Sequence, residues 1–224
     1  RLLVQENIAE NVITKIKARM DKLRVGNPMD KSIDMGAIVD PIQRQRIADL
    51  VDIGVKEGAD IYQAPGPLPD TGCFYPPTLL SSAEPAMRIV QEEIFGPVLV
   101  AMTFRTPAEA VELANNTRYG LAASVWTENV NLALDTAPKI KAGIVWVNST
   151  NLFDAAAGFG GYHESGFGRE GGREGMYEYL KPTYQKTLVA AKPSKSSKLS
   201  PNAAGVNSVD RTRKLYVGGK QARP

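Results

Sequence analysis

Two short stretches hold the residue types that could do chemistry. The first is "QEEIFGPV", Gln91 to Val98, with adjacent carboxylates at Glu92 and Glu93 and an aromatic ring at Phe95. Read as a strand, successive side chains point to opposite faces, so Glu92 and Glu93 occupy different environments and Phe95 shares the side of Glu93. A carboxylate and a ring on one side could grip a sugar and the ring attached to it. The competing reading is a helix-to-strand turn carrying two ordinary solvated acids, and the residues alone leave both open. The second stretch is the glycine-dense "GFGGYHESGFGRE", Gly158 to Glu170, in which Gly166, Gly168 and Gly171 match G-x-G-x-x-G. A phosphate cradle of that type follows a strand directly and has an acidic residue about 20 positions later. "AAAGFGGYHES" precedes it instead, and no Asp or Glu lies between Glu178 and Asp210. The pattern therefore reads as a turn or a packing feature. His163, the sole histidine, sits beside Glu164 and could shuttle a proton, but no second ligand or nucleophile accompanies it, which favours a surface histidine. Cys73, the sole cysteine, lies between Gly72 and Phe74 in what reads as an apolar strand and is expected to be a buried, inert thiol.

Composition narrows the class. With 224 residues, 43% hydrophobic and 23% charged, the chain has ordinary globular make-up. One cysteine excludes an internal disulfide framework, and one histidine argues against a His-based zinc site or a Ser-His-Asp triad within this chain. No run approaches the ~20 apolar residues of a membrane span, and the opening reads as strand then amphipathic helix rather than a signal peptide. The expectation is a cytoplasmic protein without membrane partners. Charge is uneven: residues 192–224 carry eight Lys+Arg against one Asp, while the preceding residues are net acidic. No aromatic interleaves with "KPSKSSK", so this stretch is expected to be a basic flexible linker and not a nucleic-acid site.

The elements that must position these residues alternate between strand and helix through residue 150. "LLVQ" is strand-like. Asn7 with Glu10 forms a capping-box pattern before a helix whose apolar face is Ile8, Val12, Ile13, Ile16, Met20 and Leu23. Asp40 followed by Pro41 opens a second helix with face Ile42, Ile47, Leu50, Val51 and Gly54, and Gly58 ends it. "ADIYQ", "GCFYPPTLL", "PVLVAMTF", "GLAASVWT" and "AGIVWVN" read as strands. "RTPAEAVELANN", with Thr106 as cap, and "ENVNLALDTAPKI" read as helices. Continuous apolar strand runs separated by helices predict an α/β fold: a mostly parallel sheet with helices on both faces.

Several motifs in order, "EEIFGPV", "ANNTRYGLAASVWT", "AGIVWVN", "FGGYHESGFGRE" and "QKTLVA", resemble the NAD(P)-dependent aldehyde dehydrogenase superfamily over residues 1 to about 191. The resemblance implies a partial catalytic domain over 1–150, a crossing segment and oligomerisation strand over 151–191, a linker over 192–211, and from 212 to 224 the start of a second such unit, since "LYVGGK" is similar to the family's opening strand. That order resembles the tandem family sixteen enzymes. It further implies that Glu93 hydrogen-bonds the nicotinamide ribose and that Phe95 packs near the nicotinamide. By the same resemblance Gln43 and Arg46 lie near the adenosine end, and Phe153 and Phe159 form aromatic walls of the substrate tunnel. Gly158 replaces the family's common proline and His163 its common lysine.

The implied activity is oxidation of an aldehyde to a carboxylic acid by a cysteine nucleophile, a glutamate general base and an NAD(P) cofactor. The resemblance puts nucleophile and base outside these residues, so the chain by itself is expected to be inert. The alternatives are a catalytically silent scaffold of the same family and an acyl-phosphate reductase of the same fold, against which the "FGGYHESGFGRE" crossing argues. Residues 182–191 are expected to protrude and pair with a neighbouring subunit, or with the second unit as an internal pseudo-dimer.

Overall fold

The computed structural model describes residues 1–183, 215–217 and 220–222. From residue 184 on, the expected oligomerisation strand, and then the whole of the linker, lie outside the described residues. The chain divides into a unit over Arg1–Leu180 and a second over Lys181–Pro224.

In the first unit β1 (Leu2–Gln5) leads through a 3-10 turn at Glu6–Ile8 into α1 (Ala9–Met20). Then come α2 (Pro41–Lys56), β2 (Asp60–Gln63), β3 (Thr78–Ser81), α3 (Arg88–Gln91) and β4 (Val98–Phe104). These strands form one sheet in the order β1-β4-β3-β2. β4 runs parallel to both β1 and β3, and only the edge strand β2 is antiparallel. α4 (Pro107–Asn115), β5 (Ala122–Val125), α5 (Val130–Thr136), β6 (Ile144–Val147) and α6 (Gly172–Tyr177) follow, with β5 and β6 paired in parallel as a separate two-stranded sheet. In the second unit β7 (Leu215–Val217) and β8 (Lys220–Ala222) form an antiparallel hairpin.

Helices cover both faces of the four-stranded sheet, as the apolar strand runs require. Leu80, Val100 and Met102 cluster with Ile47, Leu50 and Val51 of α2 on one face. Leu79, Leu99 and Ala101 cluster with Ile13, Ile16 and Met20 of α1 on the other. Neighbouring residues of one strand thus serve two different helices, which is why β3 and β4 carry no polar alternation.

Local chemistry explains the starts of α2 and α4. Asp40 accepts from the Gln43 N–H at 2.6 Å with Pro41 in the first turn, and Thr106 accepts from the Glu109 N–H at 3.2 Å with Pro107 likewise. Gly58 closes α2 with φ +107°. Three expectations need correction. The Asn7–Glu10 capping box does not form: Asn7 lies inside the 3-10 turn, not in the extended backbone a cap needs, and no side chain caps α1. Ile42 is 82% exposed, because in the first turn of α2 it lies outside the stripe that meets the sheet. Cys73 sits in the loop before β3, half-buried, since only Thr78–Ser81 of "GCFYPPTLL" forms a strand.

Candidate functional site

α3 ends at Gln91 and β4 begins at Val98, so Glu92 to Pro97 form a helix-to-strand turn. The strand premise for this stretch is thereby corrected: the residues before β4 make no ladder. The two carboxylates nonetheless have different surroundings. Glu92 accepts from Arg88 Nε at 2.7 Å across one helical turn. That hydrogen bond holds its carboxyl below the usual carboxylate range, with further attraction from Arg88, Arg118 and Arg46. Glu93 is exposed, and no side chain among the described residues pairs with it. Ile94 is buried in the larger core cluster. Phe95 is 71% exposed and has φ +53°, the left-handed region that non-glycine residues rarely occupy. One anchored apolar residue therefore has a free carboxylate on one side and a free ring on the other.

α2 supports this turn from beneath. The Gln43 amide donates to the carbonyls of Ile94 and Phe95, each at 3.1 Å. Ile47, one helical turn further on, packs where a Cβ on Gly96 would lie 2.8 Å from its Cγ1. Arg46, exposed on the same helix, contributes to the positive potential at Glu92. Three side chains of one helix thus converge on a turn some fifty residues away.

Phe153 and Phe159 come together at 5.1 Å between ring centroids, edge to face. Trp146 of β6 joins them at 5.8 Å from Phe153 and donates its indole N–H to the Leu152 carbonyl at 2.9 Å. Phe95 is not part of this stack. Trp146 escaped the sequence reading because it sits inside an apolar strand run. Its indole N–H, which needs an acceptor when packed, was the available signal.

The glycine-dense segment makes a crossing held by close backbone approach. Phe159 and Glu170 exchange both backbone hydrogen bonds at 2.7 Å. A Cβ on Gly143 would overlap the Gly160 carbonyl, and one on Gly172 would lie 2.6 Å from the Gly158 nitrogen. No strand precedes Gly166, and the helix after Gly171 has six residues, so the G-x-G-x-x-G match is a turn. His163 is exposed, and the neighbouring Glu164 pairs with Arg118 at 3.4 Å. An open concavity of about 660 Å³, lined by Pro138, Ile140, Val145, Tyr162, His163 and Phe167 among others, contains none of the predicted site residues. It carries no catalytic constellation, so the exposed turn at Glu93 and Phe95 remains the better candidate. Among the described residues no cluster of side chains could hold a metal ion, and no helix is long and apolar enough to cross a membrane.

A dinucleotide fits the turn chemically. An ionised carboxylate only accepts, and a ribose diol offers two hydroxyl donors. An exposed ring offers a flat face to a planar heterocycle.

The sequence model of the Aldehyde dehydrogenase family matches residues 1–184. Aldehyde dehydrogenase B of Escherichia coli is 47% identical over 193 residues, covering 84% of this chain and 36% of that protein. Betaine aldehyde dehydrogenase of Bacillus subtilis is 38% identical over 198 residues, covering 85% and 40%. Among solved structures, betaine aldehyde dehydrogenase of Staphylococcus aureus in complex with NAD+ superposes with a TM-score of 0.75 at 39% identity, over 80% of this chain and 36% of that one. The NAD-dependent aldehyde dehydrogenase of Sinorhizobium meliloti gives 0.77 at 39% identity, over 81% and 36%. The chain spans well under half the length of these relatives. Its sheet, with α1 and α2 on opposite faces, is that of the aldehyde dehydrogenase catalytic domain, and the chain belongs to the aldehyde dehydrogenase family.

Proposed function

We propose that the protein to which this chain belongs oxidises aldehydes to carboxylic acids with NAD(P)+, and that this chain supplies the nicotinamide-ribose grip and one wall of the substrate tunnel. The bound dinucleotide supplies hydride acceptance. Glu93 accepts from the ribose hydroxyls, and Phe95 lies against the nicotinamide. Phe153 and Phe159, stacked with Trp146, exclude water from the aldehyde's path. Gln43 and Arg46 belong to the same cofactor side. The observation that carries the reading is that Glu93 and Phe95, flanking the buried Ile94, are both exposed in a chain of this family. No nucleophile is assigned to these residues: Cys73, the only cysteine, is half-buried in the loop before β3. The activity is that of the full-length protein, which we read as cytoplasmic, with residues 182–191 pairing to a neighbouring unit and a second unit from residue 212.

The test is Glu93→Gln in the full-length protein. A hydrogen bond to a charged acceptor is worth ~1.5–3 kcal/mol, so NAD(P)+ affinity should fall by roughly ten- to a hundredfold. Unchanged affinity and turnover would sink the assignment. Tight cofactor binding by the wild type without aldehyde turnover would favour the silent-scaffold reading instead.

A further inference from the structure

We propose that Gln43 is a positioning residue, one that fixes the left-handed turn at Phe95 and through it aims the Glu93 carboxylate at the ribose. The proposal rests on the cofactor reading above and gives Gln43 an indirect part in it.

Three observations carry it. First, both donor protons of the side-chain amide are engaged. Nε2 reaches the Ile94 and Phe95 carbonyls at 3.1 Å each, and an amide nitrogen has two protons to give. Both partners are acceptors, so the amide orientation is fixed by chemistry and the nitrogen must face the turn. Second, the turn needs holding. Phe95 is non-glycine at φ +53°, a conformation that persists only where the surroundings over-determine it. No other donor among the described residues reaches either carbonyl. Pro97 has no N–H to contribute, and the nearby backbone bonds serve Gly96 and Pro97 instead. Third, Gln43 is itself rigidly placed. Its backbone N–H is held by the Asp40 cap at 2.6 Å, and Ile47, four residues on, is wholly buried beside Gly96. A buried Ile94 anchors one end of the turn and Ile47 packs against the other, while the amide sets the plane of the peptides between them.

A direct ligand contact by Gln43 makes a different prediction, because independent contacts contribute additively and a residue acting through Glu93 does not. The experiment uses the full-length protein and the variants Gln43→Met, Glu93→Gln and the pair. Methionine keeps the length and removes both donors. Hydrogen exchange of the peptide spanning residues 92–98 should speed up in Gln43→Met while exchange in the interior of α2 stays as in the wild type. The Kd for NAD+, measured by titration calorimetry, should rise roughly tenfold in Gln43→Met, and by less than about threefold when the same change is made in the Glu93→Gln background. Unchanged exchange over 92–98 overturns the proposal. So does a full tenfold effect in the Glu93→Gln background, which would mark a direct contact. If the wild type binds neither NAD+ nor NADP+, the cofactor reading fails, and the exchange result alone then decides whether Gln43 holds the turn.

Discussion

The stretch from Leu2 to Phe104 and the stretch from Ala122 to Tyr177 keep their shapes by different means. In the first, apolar side chains fill both faces of a four-stranded sheet. In the second, Ala133 is the sole buried hydrophobic residue among the described ones, and the backbone itself makes the close contacts at Gly143, Gly160 and Gly172. The candidate residues divide between the two: Glu93 and Phe95 lie in the turn that leads into β4 of the packed sheet, and Phe153 and Phe159 stack in the second stretch. The first pair is anchored by burial of Ile94. Phe159 of the second pair is held by backbone hydrogen bonds to Glu170.

The comparison is tested most severely by removing packing from each side. Leu80 is fully buried between β3 and α2, so Leu80→Ala should cost about 2–5 kcal/mol in denaturant unfolding of the full-length protein. Val145 on β6 is half-buried, and Val145→Ala should cost clearly less. Equal losses would mean that the second stretch has a side-chain core after all.

The converse substitution adds an atom where backbone meets backbone. In Gly143→Ala the new Cβ would overlap the Gly160 carbonyl oxygen and lie 2.6 Å from its carbon, and backbone cannot swing aside as a flexible side chain can. The expected loss is about 1–3 kcal/mol. Limited proteolysis should show new cleavage in residues 158–172. A variant as stable and as protease-resistant as the wild type would break the claim that the crossing relies on close approach.

The same contrast decides how much could be read from the sequence. The sheet and its helices were legible because β3 and β4 are apolar on both faces and α2 shows Ile47, Leu50, Val51 and Gly54 at helical spacing. Asp40 and Thr106 were legible as caps because Pro follows each. From residue types alone the glycine-dense segment was legible only as a negative, the lack of a preceding strand and a following acid, and its reading as a crossing rested on the family resemblance. What glycine permits is a contact with residues distant in sequence, and its partners are not encoded nearby. At the candidate site, the separation of Glu92 from Glu93 was anticipated from strand alternation. The cause is different: Arg88 takes Glu92, and Ile94 anchors a turn. The brace from Gln43 spans 51 residues and left no local signal. Trp146 was hidden among the apolar residues of β6.

Caps give a finer test within the better-packed stretch and its margin. Thr106 accepts a hydrogen bond from the Glu109 N–H, so Thr106→Ala should lower stability by about 1 kcal/mol. Asn7 lies in the 3-10 turn and caps nothing, so Asn7→Ala should stay within about 0.5 kcal/mol of the wild type. Thermal unfolding of both variants in the full-length protein checks the pair. A loss at Asn7 matching that at Thr106 would show that the capping box forms in solution.

The smallest effect concerns Glu92, the carboxylate that the turn does not leave free. The hydrogen bond from Arg88 is the main reason its carboxyl stays below the usual range; partial burial opposes this, and the charges of Arg88, Arg118 and Arg46 add to it. A carboxylate whose pKa is lower folded than unfolded stabilises the fold above its unfolded pKa. That contribution fades as the pH falls through the folded value. Glu92→Gln keeps the shape and removes the charge. Its melting temperature should therefore lie slightly below that of the wild type near neutral pH, and the gap should close on acidification below the ordinary carboxylate range. The pair is largely solvated, so salt should shrink the gap as well. A gap that is constant with pH would mean that glutamine disturbs packing and not charge. A gap that widens in acid would reverse the sign and remove Arg88 as the cause. In either case the separation of the two carboxylates would need another explanation, because an unpaired Glu92 would stand as free as Glu93 to meet a ligand.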